Sequence, residues 1–223
     1  MRALLASALV VFASLDAYAL CMAPRYGPKL LTPTDRPLPA DGSLVVGLEN
    51  ARAGNTSAMP TLSLVREGTE IPLRNRALSS SLTVYTPART PPPGRYRVQG
   101  FPAETTVEFS ADRTQGELQA PRVRAVTRLV TQGLRGERAT LNVTLQGSSP
   151  AFLILGEDEH GVVGWNADLT LAETTIFRSG RCGATPPGIT RPVPDAGSTL
   201  RFRYIDHAGR VSAPSAPVRV TNR

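Results

Sequence analysis

The chain has 223 residues, a formal charge of +7 and 41% hydrophobic residues, with 19 glycines and 20 prolines spread along its length. That length accommodates one large or two ordinary domains, and the Gly/Pro punctuation excludes an architecture of long helices in favour of short strands joined by turns. Aromatic residues are only 5% of the chain, so the cores must be built from Leu, Val and Ala.

Lys29 is the only lysine, and the other basic residues are arginine. This bias points to a GC-rich coding sequence and hence to a bacterium. Chemically, it supplies fixed, bidentate donors for carboxylate or phosphate. Residues 1–19 read as a secretory signal: Arg2 is the positive start, Ala3 to Leu15 the apolar core, and Ala17-Tyr18-Ala19 a small-x-small cleavage site. The apolar core falls short of the ~20 residues that span a bilayer. Leu20 before Cys21, and Tyr18 where a lipoprotein signal carries Leu, argue against lipidation. Removing residues 1–19 takes away Arg2 and Asp16, so the mature charge stays at +7. No transmembrane segment is expected after the signal is removed, and the chain is expected in the periplasm, at the cell envelope or outside the cell.

A proline-rich leader follows over 20–41. Pro24, Pro28, Pro33, Pro37 and Pro39 exclude helix and disfavour a central strand. It is either an ordered arm on a domain or a spacer. A first domain is expected over 42–112 from period-2 alternation. Leu44, Val46 and Leu48 alternate with Val45 and Gly47; Leu82 and Val84 with Thr83; Tyr96 and Val98 with Arg95, Arg97 and Gln99; Val107 and Phe109 with Thr106 and Glu108. Arg66-Glu67-Gly68-Thr69 and Thr90-Pro91-Pro92-Pro93-Gly94 supply turn chemistry.

Arg113 to Pro121 reads as a junction, and a second domain is expected over 121–223. Val123 and Ala125 alternate with Arg122 and Arg124, and Leu141, Val143 and Leu145 with their polar neighbours. Phe152-Leu153-Ile154-Leu155 is a continuous apolar run, as suits a central strand. Leu200, Phe202 and Tyr204 alternate with Arg201 and Arg203. Asp206-His207-Ala208-Gly209 then turns the chain into Val218-Arg219-Val220, a closing hairpin. The expected fold class is all-β: two tandem antiparallel β-sandwich domains after a signal peptide.

Pro93-Gly94-Arg95-Tyr96-Arg97-Val98 and the run Tyr204 to Pro214, with Asp206-His207-Ala208-Gly209 inside it, resemble the late strands of bacterial immunoglobulin-like and fibronectin type III-like modules. The resemblance covers about a quarter of the chain and implies a fold, without implying a function.

Two cysteines, Cys21 and Cys182, are expected in an oxidising compartment. A bridge between them would close a loop of about 160 residues, for which the chain-entropy model gives about 5 kcal/mol. The alternative is a pair of unpaired or intermolecular thiols. Glu157-Asp158-Glu159-His160-Gly161 lacks EF-hand spacing and reads as a solvated turn, not a metal site. His160 and His207, the only histidines, each follow an acid in a turn, and the inferred strand order puts those turns at opposite ends. There is no G-x-S-x-G elbow and no Gly-rich phosphate loop, so neither a catalytic residue nor a cofactor is assigned. The usable feature is a basic strand face of Arg201, Arg203 and Arg219, with Arg122 and Arg124 on the strand that opens the module. Such a face suits an anionic envelope polymer or an acidic protein. Nucleic acid is not expected, because no aromatics are interleaved for base stacking.

The leading expectation is an exported, non-catalytic binding or envelope-structural protein. One alternative is a carbohydrate- or small-ligand-binding module using Tyr26, Tyr85 and Trp165. Another is a hydrolase using His160 or His207 with a nearby acid.

Overall fold

A computed structural model describes residues 27–49, 59–101, 104–133, 136–147, 151–167, 169, 173–178 and 193–223. The expected signal segment 1–19, Tyr26, Cys21 and Cys182 lie outside the described residues, as does the predicted bridge. The described chain is all β, with two curled seven-stranded sheets, each closed over its own core.

The first sheet holds β1 (Gly27–Leu30), β2 (Leu44–Glu49), β3 (Ser63–Arg66), β4 (Thr69–Ser79), β5 (Leu82–Pro87), β6 (Gly94–Gln99) and β7 (Thr105–Phe109), in the order β1-β2-β5-β4-β3-β6-β7. The long strand β4 changes partner midway: residues 69–72 pair with β3 and residues 73–79 with β5. That switch folds one ribbon into two facing layers. The β3–β4 turn is Glu67-Gly68 with φ of 51° and 77°, the double positive φ that a tight two-residue hairpin demands. Leu44, Val46, Leu64, Ile71, Tyr85, Val98 and Val107 close the core between the layers. Tyr96 meets Phe109 edge-on at 5.8 Å and donates its hydroxyl to Pro92 O at 2.7 Å, which fixes the corner ahead of β6.

From Gly27 onward the leader is an ordered arm. Leu38 is buried; its N–H donates to Glu108 O, and its carbonyl accepts from the N–H of Ser110, both at 2.7 Å. The arm thereby covers the open edge of β7 in parallel, removing a site of self-pairing.

The second sheet holds β8 (Val123–Gly133), β9 (Gly136–Leu145), β10 (Ala151–Asp158), β11 (Gly161–Asn166), β12 (Glu173–Arg178), β13 (Thr199–Asp206) and β14 (Val218–Asn222), in the order β11-β10-β13-β14-β8-β9-β12. It is not wholly antiparallel, because β14 runs parallel to β8, with Val220 beside Val126. The expected alternation at the start of β8 is also corrected. A bulge at Arg124 puts Val123 opposite Leu145 but Ala125 opposite Thr144, so Val126, not Ala125, joins Val123 on the core side.

The closing hairpin is looser than expected, since only Thr199 and Leu200 pair with β14. Between them the chain returns through Ser212-Ala213-Pro214-Ser215-Ala216-Pro217, where the prolines cannot donate to a ladder. Serine takes over. Ser215 N–H donates to Phe202 O while Phe202 N–H donates to Ser215 Oγ, and Ser212 does the same with Tyr204. The buried backbone of β13 is thus satisfied without a regular partner strand.

The two lobes pack face to face. Val45, Leu82 and Val84 from the outer face of β2 and β5 meet Leu153, Leu155, Trp165 and Ile205 from β10, β11 and β13 in a third apolar core. A bulge around Val163 sends Val163 into the second lobe's core and Trp165 to the opposite face. The Trp165 indole lies on Gly47, where a Cβ would sit 2.8 Å from two ring carbons, and donates Nε1–H to Ser81 Oγ at 3.1 Å. The expected orientation of β5 is therefore reversed: Thr83 pairs with Val46 on the first lobe's core side, while Leu82 and Val84 face the other lobe.

Candidate functional site

β13 changes character along one face. Ile205 lies in the interlobe core, Arg203 at its border, and Arg201 beyond it in solvent. The same change occurs on β10, from Leu153 and Leu155 to Glu157, which stands opposite Arg201. Lobe one covers the apolar half; the charged half is left as the floor of a cleft of about 760 Å³. Residues 157–160, 193–195 and 198–199, with Pro214 and Pro217, wall it.

The cleft brings together residues that the sequence reading kept apart. Glu157, Asp158, Glu159 and Asp195 line it with Arg201 and Arg203, so its lining carries more carboxylates than guanidinium groups. Arg203 donates Nε–H to Glu157 Oε2 at 2.9 Å and Nη1–H to Ser212 O at 3.0 Å. It therefore fastens β10 and the serine-proline return to β13. Arg201 is exposed and makes no ion pair among the described residues. Arg219 is also exposed, directly opposite Thr199 and hence diagonal to Arg201 on one outward face; such neighbours lie ~7–8 Å apart. Arg122 and Arg124 are exposed at the start of β8, before the rungs that pair β8 with β14, so the ladder does not extend the Arg201–Arg219 pair to them.

The acidic turn Glu159-His160 is a tight hairpin tip, with His160 N–H donating to Asp158 Oδ1 at 2.7 Å and Gly161 at φ 112°. No group of three potential metal ligands occurs among the described residues. His160 and His207 stand at opposite ends of the β10–β13 ladder, because Arg201 pairs with Glu157 and Asp206 with Ala151. They share no site.

His207 belongs to the interlobe contact. Asp206 accepts Arg210 N–H at 2.9 Å and Arg210 Nε–H at 2.8 Å, while Arg210 Nη1–H reaches Gly116 O at 2.7 Å. This ties the turn to the junction. Ser43 N–H donates to Ala208 O at 2.8 Å, and His207 Nε2 lies 3.2 Å from Pro37 O. Burial holds the imidazole pKa below its ordinary value, with the Arg36 charge acting in the same direction and the Pro37 hydrogen bond against it.

The aromatic platform proposed for sugar binding is corrected. Tyr85 is fully buried in the first lobe, and Trp165 is 5% exposed in the interlobe core. The sequence held a sign of this, since runs such as Phe152 to Leu155 are buried on both faces of a strand.

No protein-family model matches the chain, and comparison with curated proteins finds no similar sequence.

Proposed function

We propose that the chain is an exported, non-catalytic binding or envelope-structural protein made of two immunoglobulin-like or fibronectin type III-like lobes. Strand connectivity supports the lobe type. In the first lobe β1-β2-β5 with the second half of β4 corresponds to the A-B-E-D layer of an immunoglobulin domain, and β3-β6-β7 to C-F-G. In the second, β8-β9-β12 corresponds to A-B-E and β10-β13-β14 to C-F-G, with β11 added at the edge. The Tyr96 hydroxyl bonded four residues back matches the corner tyrosine of such domains.

The observation that carries the binding role is the exposed Arg201–Arg219 pair on one outward face, of which Arg201 lines the cleft and neither makes an ion pair among the described residues. Its chemistry fits anionic groups on an envelope polymer or an acidic protein. The carboxylates lining the cleft repel a uniformly anionic chain from its interior, so contact falls on the outward Arg201–Arg219 face. The test is retention on an anionic matrix at low salt. The double substitution Arg201→Glu and Arg219→Glu is expected to shift elution to clearly lower salt while thermal stability is kept. Elution unchanged from the parent chain would remove this surface as the binding site. Export is tested separately, by the N-terminal residue of protein recovered from the native envelope.

A further inference from the structure

We propose that the contact between His207 and the proline-rich arm is an acid-sensitive latch. The neutral ring holds residues 35–40 on the second lobe, and protonation loosens that segment while the apolar core between the lobes stays closed.

A carbonyl only accepts, so the bond to Pro37 O requires the proton on Nε2 and leaves Nδ1 with its lone pair. Nδ1 is buried and has no hydrogen-bond partner. A second proton therefore places an N–H without an acceptor, and a net charge, in a position only 9% exposed. The groups around the ring do not compensate. On the arm, the Arg36 charge opposes the charged ring, while Asp35 and the Arg36 backbone favour it without overcoming its burial. Asp206 and Arg210, on the same turn, are spent on each other at 2.7 Å. The junction contributes Glu117 to the wall of the neighbouring cavity, and β10 contributes only Ala151 and Phe152. That cavity, of about 670 Å³, also has His207 in its wall and opens the contact to water and protons.

The arm is the element that yields. Beyond the His207 bond, the Leu38 side chain buried in the first lobe's core and backbone bonds of Leu38 with Glu108 and Ser110 and of Ala40 with Asp112 hold it, whereas the lobes share a larger apolar core. A segment held by one buried side chain and a few hydrogen bonds opens locally before the whole molecule does.

The test is an NMR titration of the full chain, in which His160 is an exposed internal reference and the only other imidazole. His207 is expected to titrate below the ordinary imidazole value of about 6.5. The amides of Leu38 and Ala40, corrected for intrinsic exchange, are expected to exchange at least about threefold faster in acid than at neutral pH. His207→Gln, which offers Pro37 O a donor but takes up no proton, is expected to lose that acid increment; His160→Gln is expected to keep it. The proposal is overturned if His207 titrates at or above the ordinary imidazole value of about 6.5, if the arm amides exchange independently of pH, or if His207→Gln retains the increment. Should His207→Gln fail to fold, the titration and exchange of the parent chain and of His160→Gln decide alone.

Discussion

Gly47 and Gly209 each sit where the two lobes approach closely, for different reasons. At Gly47 a methyl group would lie 2.8 Å from Trp165 Cη2, Trp165 Cζ2 and Leu31 Cδ1. At Gly209 it would lie 2.8 Å from Ser43 Cβ and O, and the φ of 74° adds backbone strain. Each glycine-to-alanine change is expected to destabilise by about 1–3 kcal/mol through overpacking, read as a lower urea midpoint with an unchanged slope. His207 adds a pH dependence. Its folded-state pKa lies below the unfolded value of about 6.5, so as pH falls the unfolded chain takes up the proton first. Its contribution is fully present above about pH 6.5 and is lost as pH falls toward the folded-state pKa. Urea midpoints of the parent chain are therefore expected to fall on acidification more steeply than those of His207→Gln. Parallel curves would deny His207 this role.

For a single strand, the sequence was read best where one face meets solvent. β6 alternates as expected, with Tyr96 and Val98 buried and Arg95, Arg97 and Gln99 exposed. The reading failed where both faces are covered. In β5, Leu82-Thr83-Val84-Tyr85 is buried throughout, and period two alone does not say which face belongs to which core. Bulges defeat periodicity as well, and at Arg124 one extra residue moved Ala125 off the core side. The cleft was half legible. Its arginines stood out by alternation, but the opposition of Glu157 to Arg201 depends on a long-range register that no local pattern encodes. The serine-proline return offers a test at this scale. Ser215→Ala and Ser212→Ala each leave a buried N–H, of Phe202 or Tyr204, without its acceptor. Each is expected to cost about 1–3 kcal/mol in denaturant melts. Loss of neither bond being felt would mean that the return strand is not seated on β13.

For the whole molecule, the third apolar core makes two consecutive lobes one body. Its members, from Val45 to Ile205, come from outer faces that would be wet in isolated sandwiches. Burying a Val or Leu side chain stabilises by about 1.5–3 kcal/mol, so this contact outweighs the polar latch beside it. The same packing decides what remains for a partner, because it covers the apolar half of the β10–β13 face and leaves Arg201 and Arg219 at its open end. Trp165 is the only tryptophan in the chain and lies inside this core, which makes its fluorescence a direct report on lobe docking. The decisive measurement is a urea titration followed by Trp165 emission and far-ultraviolet circular dichroism on the same samples. Docked lobes give a blue-shifted native emission and two superimposable transitions. Emission already at the wavelength of a solvated indole in buffer, or a fluorescence transition complete before the loss of β-sheet signal, would contradict this docking.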